Sequence, residues 1–229
     1  MALLVGLGVL AGGAVVADVV ARAEAERRIA ADLRSSGFDD PVDVDVAGTP
    51  FLTQAARRRL DHVEVTAASA RLGPRRELMV RDVTAVLDGV TRRGDAYSAE
   101  RVRYRVTLPY QTLQAQLPRQ GVDVGRAPGD RLTVRMTASV FGQEVAVSGT
   151  ADVEVAGPSA LQVRGRSIEV LGVEIDDAIL AGRLREALTF RVAVPGLPPG
   201  TGLESVAVRR DGLEVVLRGQ DVALSGAGG

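Results

Sequence analysis

The sequence predicts an α+β fold, in which a long curved antiparallel sheet carries amphipathic helices packed on it and an N-terminal membrane helix precedes it. Three observations lead there. Apolar and polar residues alternate with period 2 over much of the chain, two internal segments carry helical periodicity, and the stretch from Ala2 to Ala17 has no charge.

That first stretch lies in length between a signal h-region of about 7–15 residues and a spanning helix of about 20. It predicts a signal peptide or membrane anchor over residues 1–21, a single domain over 22–224 and a flexible tail over 225–229. Gly6, Gly8 and Ala11 imitate a dinucleotide fingerprint, but no strand precedes them to aim a helix at a pyrophosphate. Gly8 and Gly12 have the spacing that lets two membrane helices approach. After Asp18 the pattern becomes a charged helix with Arg22/Glu26 and Glu24/Arg28 at i,i+4. Val16, Val20, Ala23, Ala30 and Leu33 are its expected buried stripe, and Ser35-Ser36-Gly37 is its expected end.

Strands follow wherever one face stays wet. Val42, Val44 and Val46 alternate with Asp43 and Asp45; Val63, Val65 and Ala67 with His62, Glu64 and Thr66; Val102, Tyr104, Val106 and Leu108 with arginines and Thr107. Leu132, Val134, Met136, Ala138 and Val140 open a meander that turns at Gly142 and continues through Val145, Val147, Ala151, Val153 and Val155. Asp211-Gly212 marks a hairpin between Val206/Val208 and Leu213/Val215/Leu217. Two helices interrupt the strands. Pro109 introduces one with Tyr110, Leu113 and Leu117 on a face, stopped by Pro118; Asp176 and Asp177 cap another with Ile179, Leu180, Leu184 and Leu188.

Composition removes several function classes. All 28 basic residues are Arg, so Schiff-base, Ser-Lys and P-loop lysine chemistry is impossible. Without cysteine there is no thiol nucleophile, zinc ribbon or disulfide framework, and the single His62 excludes a two-histidine metal site. A net charge of -1 argues against nucleic acid as a partner. Three acidic candidates for hydrolysis or sugar transfer remain, Asp43, Asp45 and Asp176. Alternation puts the first two on a wet strand face, and Asp176 fits a helix cap. His62, with Asp61 and Glu64 nearby, reads as an ordinary outward strand residue. No catalytic residue, metal or cofactor is expected.

Gly48-Thr49-Pro50-Phe51-Leu52-Thr53-Gln54, placed after a short strand, resembles the Gly-x-Pro-Phe-Leu-Thr-Gln signature of an actinobacterial envelope family, the LmeA-like proteins, which includes the mycobacterial lipomannan elongation factor A. Pro109-Tyr110-Gln111-Thr112-Leu113, Leu197-Pro198-Pro199-Gly200 and the Asp211-Gly212-Leu213 hairpin extend the resemblance along nearly the whole chain. It implies a fold similar to tubular lipid-binding domains of the bactericidal permeability-increasing type. It also implies a non-catalytic protein on the periplasmic or cell-wall side that binds phospholipid or glycolipid in envelope lipid or lipoglycan assembly. The membrane, through the N-terminal helix, and envelope-assembly proteins are the other partners expected. The alternative is a structural scaffold with a filled core.

An aliphatic sheet with only 3% aromatic residues suits acyl chains. Burying a 16-carbon chain is worth roughly 12 kcal/mol from water, but nearly all of that cancels when the chain leaves a bilayer. Selectivity then rests on the headgroup, and Arg meets a phosphate through two parallel hydrogen bonds. The candidate ligand-binding residues are Phe51 and Leu52 at a lipid mouth, Arg57 and Arg58 (with Arg59) toward anionic headgroups, and Tyr104, Tyr110 and Leu113.

Overall fold

The computed structural model describes residues 2–72, 78–94, 96–115, 117, 122–140, 143–170, 173–174, 189–194 and 197–224. The turn at Gly142, Pro118 and the expected helix at Asp176–Leu188 lie outside them. The chain forms two compact units. Residues up to Ala70, Asp82–Tyr104 and those from Gly219 on make the first; Arg71–Arg81 and Arg105–Arg218 make the second.

The first unit opens with helix α1 (Ala2–Ser35), followed by β1 (Phe38–Ala47), α2 (Phe51–Ala56) and β2 (Arg59–Leu72). Strands β3 (Leu78–Arg93), β4 (Ala96–Pro109) and β12 (Gly212–Leu224) also contribute to it, and the neighbour order is β1-β2-β3-β4-β12. Alternation sets these strands as expected. Val46, Val63, Val65, Ala85, Val102 and Val222 point to one side and share a core, while Asp43 and Asp45 stand exposed on β1. β1 pairs antiparallel with β2, with Val44 opposite Val65 and Val46 opposite Val63. The register slips between Asp39 and Val42, where Pro41 has no N–H to give the ladder.

Helix α1 covers this core, but not with the expected stripe. Ala21, Ala25, Ile29 and Leu33 pack against the sheet residues, whereas Val16 (63% exposed) and Val20 face outward; Ala30 and Leu33 are the expected members that do turn inward. Asp18, Arg22 and Glu26 form a second inward line, one helical turn apart, beside the apolar one. Glu24 and Arg28 make the expected ion pair at 2.8 Å, but Arg22 and Glu26 bond to the segment around β1 instead of to each other. Among the described residues no helix is long and apolar enough to cross a membrane, so the membrane-spanning part of the N-terminal expectation is unsupported. The uncharged run Ala2–Ala17 rises about 24 Å as a helix, against a hydrocarbon core of about 30 Å. Asp18, which follows it, is committed to the folded domain.

The second unit contains α3 (Tyr110–Ala115), β5 (Asp123–Ala127), β6 (Arg131–Val140), β7 (Gln143–Val155), β8 (Ala160–Val170), β9 (Val173–Glu174), β10 (Phe190–Ala193) and β11 (Thr201–Val208). Its sheet runs β10-β8-β7-β6-β5 with β9 beside β8, and all of these neighbours are antiparallel. The expected meander is therefore present: Leu132 lies opposite Ala151 and Met136 opposite Val147. Leu132, Val134, Val147, Ala151, Leu161 and Val163 are buried. β11 neighbours β12 as the Asp211-Gly212 hairpin predicts, and Arg209 N–H closes on the Gly212 carbonyl at 2.8 Å. The α+β class holds, but the strands divide between two sheets where one long sheet was expected. Strand β3 changes its buried face along its length. Burial falls on Leu78 and Val80 and then on Val83 and Ala85, a change of parity at Asp82, whose φ is +49°.

Candidate functional site

The signature segment is a clasp, held to α1 and β2 by named hydrogen bonds. Asp18, only 8% exposed, accepts the Leu52 N–H at 2.8 Å and also the Phe51 N–H, satisfying the first donors of α2, whose own Pro50 cap offers no side chain. Arg22 Nη2 donates to the Gly48 carbonyl at 2.7 Å, and Val46 N–H donates to Glu26 Oε1 at 3.0 Å. Gln54 is buried and bridges two strands, donating from Nε2 to the Ala47 carbonyl and accepting the Asp61 N–H at 2.8 Å. Gly48 has a φ of +99°, and a Cβ there would come within 2.5 Å of Gln54 Nε2. Phe51 fills the core at 6% exposure, and Leu52 points outward at 44%.

The clasp makes one electrostatic prediction. The Leu52 and Phe51 N–H groups, aided by Arg22, hold the Asp18 carboxyl below its ordinary pKa against the opposing effect of burial. A depressed folded-state pKa gives stability that is present above the unfolded value and is lost as pH falls through the folded one, here below about pH 4. Asp18→Asn should therefore unfold at a lower temperature than wild type at pH 7, and the two melting curves should converge as pH falls from 4 to 2. Melting temperatures that stay a constant interval apart across that range would contradict the role of the charge.

Just beyond the clasp the chain reverses. Arg57 ends α2, Arg58 takes a left-handed φ of +54° and β2 begins at Arg59. Arg58 presents its carbonyl to Arg92 N–H at 3.1 Å, which fixes this turn against the end of β3. Between them lies a cavity of about 480 Å³ lined by the apolar residues Ala55, Leu60 and Val90 and by Arg58, Arg59, Arg92, Gly94 and Tyr97. The Arg92 guanidinium lies 5.4 Å from the Tyr97 ring centroid, and its Nε donates to the Gly94 carbonyl. Arg59 pairs with Glu100 at 2.7 Å. Among the described residues, neither Arg57 nor Arg58 has a side-chain hydrogen bond or ion pair.

This cavity brings together only some of the residues expected from sequence. Arg58 and Arg59 line it, and Arg57 stands exposed beside it. Tyr104 packs against the core of the first unit, where burial raises its phenol pKa. Leu113 is buried in the second unit at 2% exposure, and Tyr110 there donates from its hydroxyl to the Arg209 carbonyl at 2.6 Å. Arg92 and Tyr97 are not evident from sequence. Their one signal is Arg92-Arg93-Gly94, a basic turn between two alternating segments.

His62 is tied to a carboxylate other than the two near it in sequence. Its Nδ1 lies 2.7 Å from Asp88 Oδ1, and Arg101 reaches the other oxygen of Asp88 at 3.3 Å. His62, first, and Arg101 lower the Asp88 pKa against the effect of burial. Among the described residues there is no cluster of three His, Cys, Asp or Glu able to hold a metal ion.

An anion with an apolar body fits a cavity of this make-up, since guanidinium groups together with aliphatic lining residues match a phosphate joined to carbon chains. No curated protein and no solved structure matches the chain. The sequence model of the LmeA-like phospholipid-binding family does match it, over residues 16–218, and the protein belongs to that family.

Proposed function

We propose that this protein binds phospholipid or glycolipid on the outer side of the cytoplasmic membrane and serves envelope lipid or lipoglycan assembly by binding rather than by catalysis. Membership of a phospholipid-binding family supports the lipid. The uncharged run Ala2–Ala17, of a length near that of a signal segment, supports export, and the family resemblance adds the membrane and envelope-assembly proteins as further partners. One observation carries the placement of the ligand: Arg58, without an ion-pair partner among the described residues, stands at a cavity also lined by Leu60 and Val90. At about 480 Å³ this space suits a headgroup and the first carbons below it rather than two whole acyl chains. Arg57 and Leu52 flank it as a charged and an apolar contact for the lipid surface.

Cosedimentation with vesicles of phosphatidylcholine, with and without an anionic phospholipid, tests the proposal. The protein should pellet with the anionic vesicles and lose that binding as salt rises; equal pelleting with both, or with neither, would count against it. A second reading, a structural scaffold, draws support from the first unit, whose inner sheet face is sealed by α1 and Phe51 instead of being left open for hydrocarbon. A scaffold would retain no lipid and would ignore vesicle charge.

A further inference from the structure

Of the six large apolar side chains that stand exposed among the described residues, four gather where α1 meets α2: Val16, Val19, Val20 and Leu52. Scattered exposed apolar residues are ordinary, whereas a group of them in one place marks a surface that is covered in use. Asp18, the one acid before Glu24, stands in their midst but is only 8% exposed, because its carboxylate is bonded to the first N–H groups of α2. With 3.6 residues per turn, Val16 and Val20 lie on the side of α1 turned away from Asp18, and the Leu52 N–H bond brings α2 to the Asp18 side. Apolar groups therefore flank α1 on both sides at this level. The segment from Gly48 to Ala56 carries no charge, and the exposed Arg57 and Arg58 end it.

We propose that this end of the first unit docks on an anionic phospholipid bilayer, seating Val16, Val20 and Leu52 at the level of the headgroups with Arg57 against phosphates beside them. This rests on reading the protein as one that meets a membrane. Three features favour a bilayer over another protein as the occupant. The same helix continues from this patch into the uncharged run Ala2–Ala17. The charges that close the α2 side are both cationic, as a negatively charged surface requires. The clasp turns the carboxylate of Asp18 inward, which removes the one group whose entry into an apolar layer would cost most. Beyond Val20, Glu24 pairs with Arg27 and Arg28 on the surface of α1, so contact stops at the end of the unit and the helix does not lie flat. Ala55, one turn along α2 from Leu52, lines the cavity, so the docked surface and the cavity adjoin.

The chain has no tryptophan, so a single introduced one reports depth. Leu52→Trp is compared with Ala31→Trp, an exposed position on α1 about 20 Å beyond Asp18. Both are made in the full chain and read against phosphatidylcholine/phosphatidylglycerol vesicles with and without brominated acyl chains. Leu52→Trp should shift its emission to the blue and lose about half of it to bromine, as for a ring buried about 5–10 Å into the interface, while Ala31→Trp should lose less than about a tenth. Adding Val20→Asp to Leu52→Trp should cut the quenching by about twofold or more, since a charge then has to enter the interface. Val20 is exposed, and circular dichroism confirms the fold of each variant. Equal quenching at both positions would show α1 lying flat and would overturn docking by this end. Emission from Leu52→Trp that is already blue in buffer and varies with protein concentration would assign the patch to a second copy of the chain and overturn the bilayer. Pelleting with anionic vesicles while Leu52→Trp stays unquenched would overturn the docking surface and leave lipid binding intact; failure to pellet would overturn both.

Discussion

Phe51→Ala should lower the free energy of unfolding by about 3–5 kcal/mol, the usual cost of removing a buried aromatic side chain and leaving its cavity behind. Phe51 is 6% exposed and shares a cluster with Val46, Val63, Val65 and Val102, so its ring occupies space that α1 and the sheet cannot easily collapse into. Urea unfolding at pH 7 measures this directly. The alternative, in which Phe51 lines a lipid mouth, predicts a different pattern: a small stability loss and a large binding loss. With Phe51 in the core and the headgroup at the arginine-lined cavity, Phe51→Ala that is still folded in dilute buffer binds anionic vesicles as wild type does. Leu52→Ala should change stability little, because Leu52 already faces outward.

The second large effect belongs to binding. Arg58→Ala should weaken binding to anionic phospholipid by about ten- to a hundredfold, the range for losing hydrogen bonds to a charged group. Stability should hardly change, since Arg58 is exposed and makes no side-chain bond among the described residues. Arg57→Ala should act in the same direction but less, because Arg57 stands beside the cavity and does not line it. Titration against phosphatidylglycerol vesicles, with unfolding curves run in parallel, separates the two effects. A loss of binding matched by a loss of stability would assign Arg58 to the fold instead of the site.

How much of this was legible in the sequence depends on whether the information was local. Strand alternation is local, so the wet and dry faces of Val42–Val46, Val63–Ala67 and Leu132–Val134 could be read directly. The Asp211-Gly212 hairpin is local too. The buried face of α1 is not. Val16 and Val20 have the helical spacing of a core stripe, but the sheet took the line through Ala21, Ala25, Ile29 and Leu33, because Asp18, Arg22 and Glu26 beside it bond to residues far along the chain. The charge in Asp18 looked like the end of an apolar run and is a helix cap in space, 34 residues away from the N–H it binds.

The site divides in the same way. Arg57-Arg58-Arg59 after the signature was visible as a basic turn, and two of its members line the cavity. Their partners came from strand register. Arg92 and Tyr97 reach the same place because β3 and β4 follow β2 in the sheet, with Arg92 N–H bonded to the Arg58 carbonyl, and nothing in the local pattern near residue 92 fixes that pairing. Tyr104, Tyr110 and Leu113 illustrate the opposite case. Each satisfies an apolar pattern that fits a ligand wall or a core, and the structure gives Tyr104 and Leu113 to cores and Tyr110 to a backbone carbonyl.

Native mass spectrometry of the protein after incubation with phosphatidylglycerol vesicles bears most directly on whether a headgroup occupies the arginine-lined cavity. Wild type should carry an adduct of one phospholipid mass, and Arg58→Glu, equally folded, should lose it. Bare wild-type protein, or an adduct that persists undiminished on Arg58→Glu, would contradict a headgroup seated at Arg58.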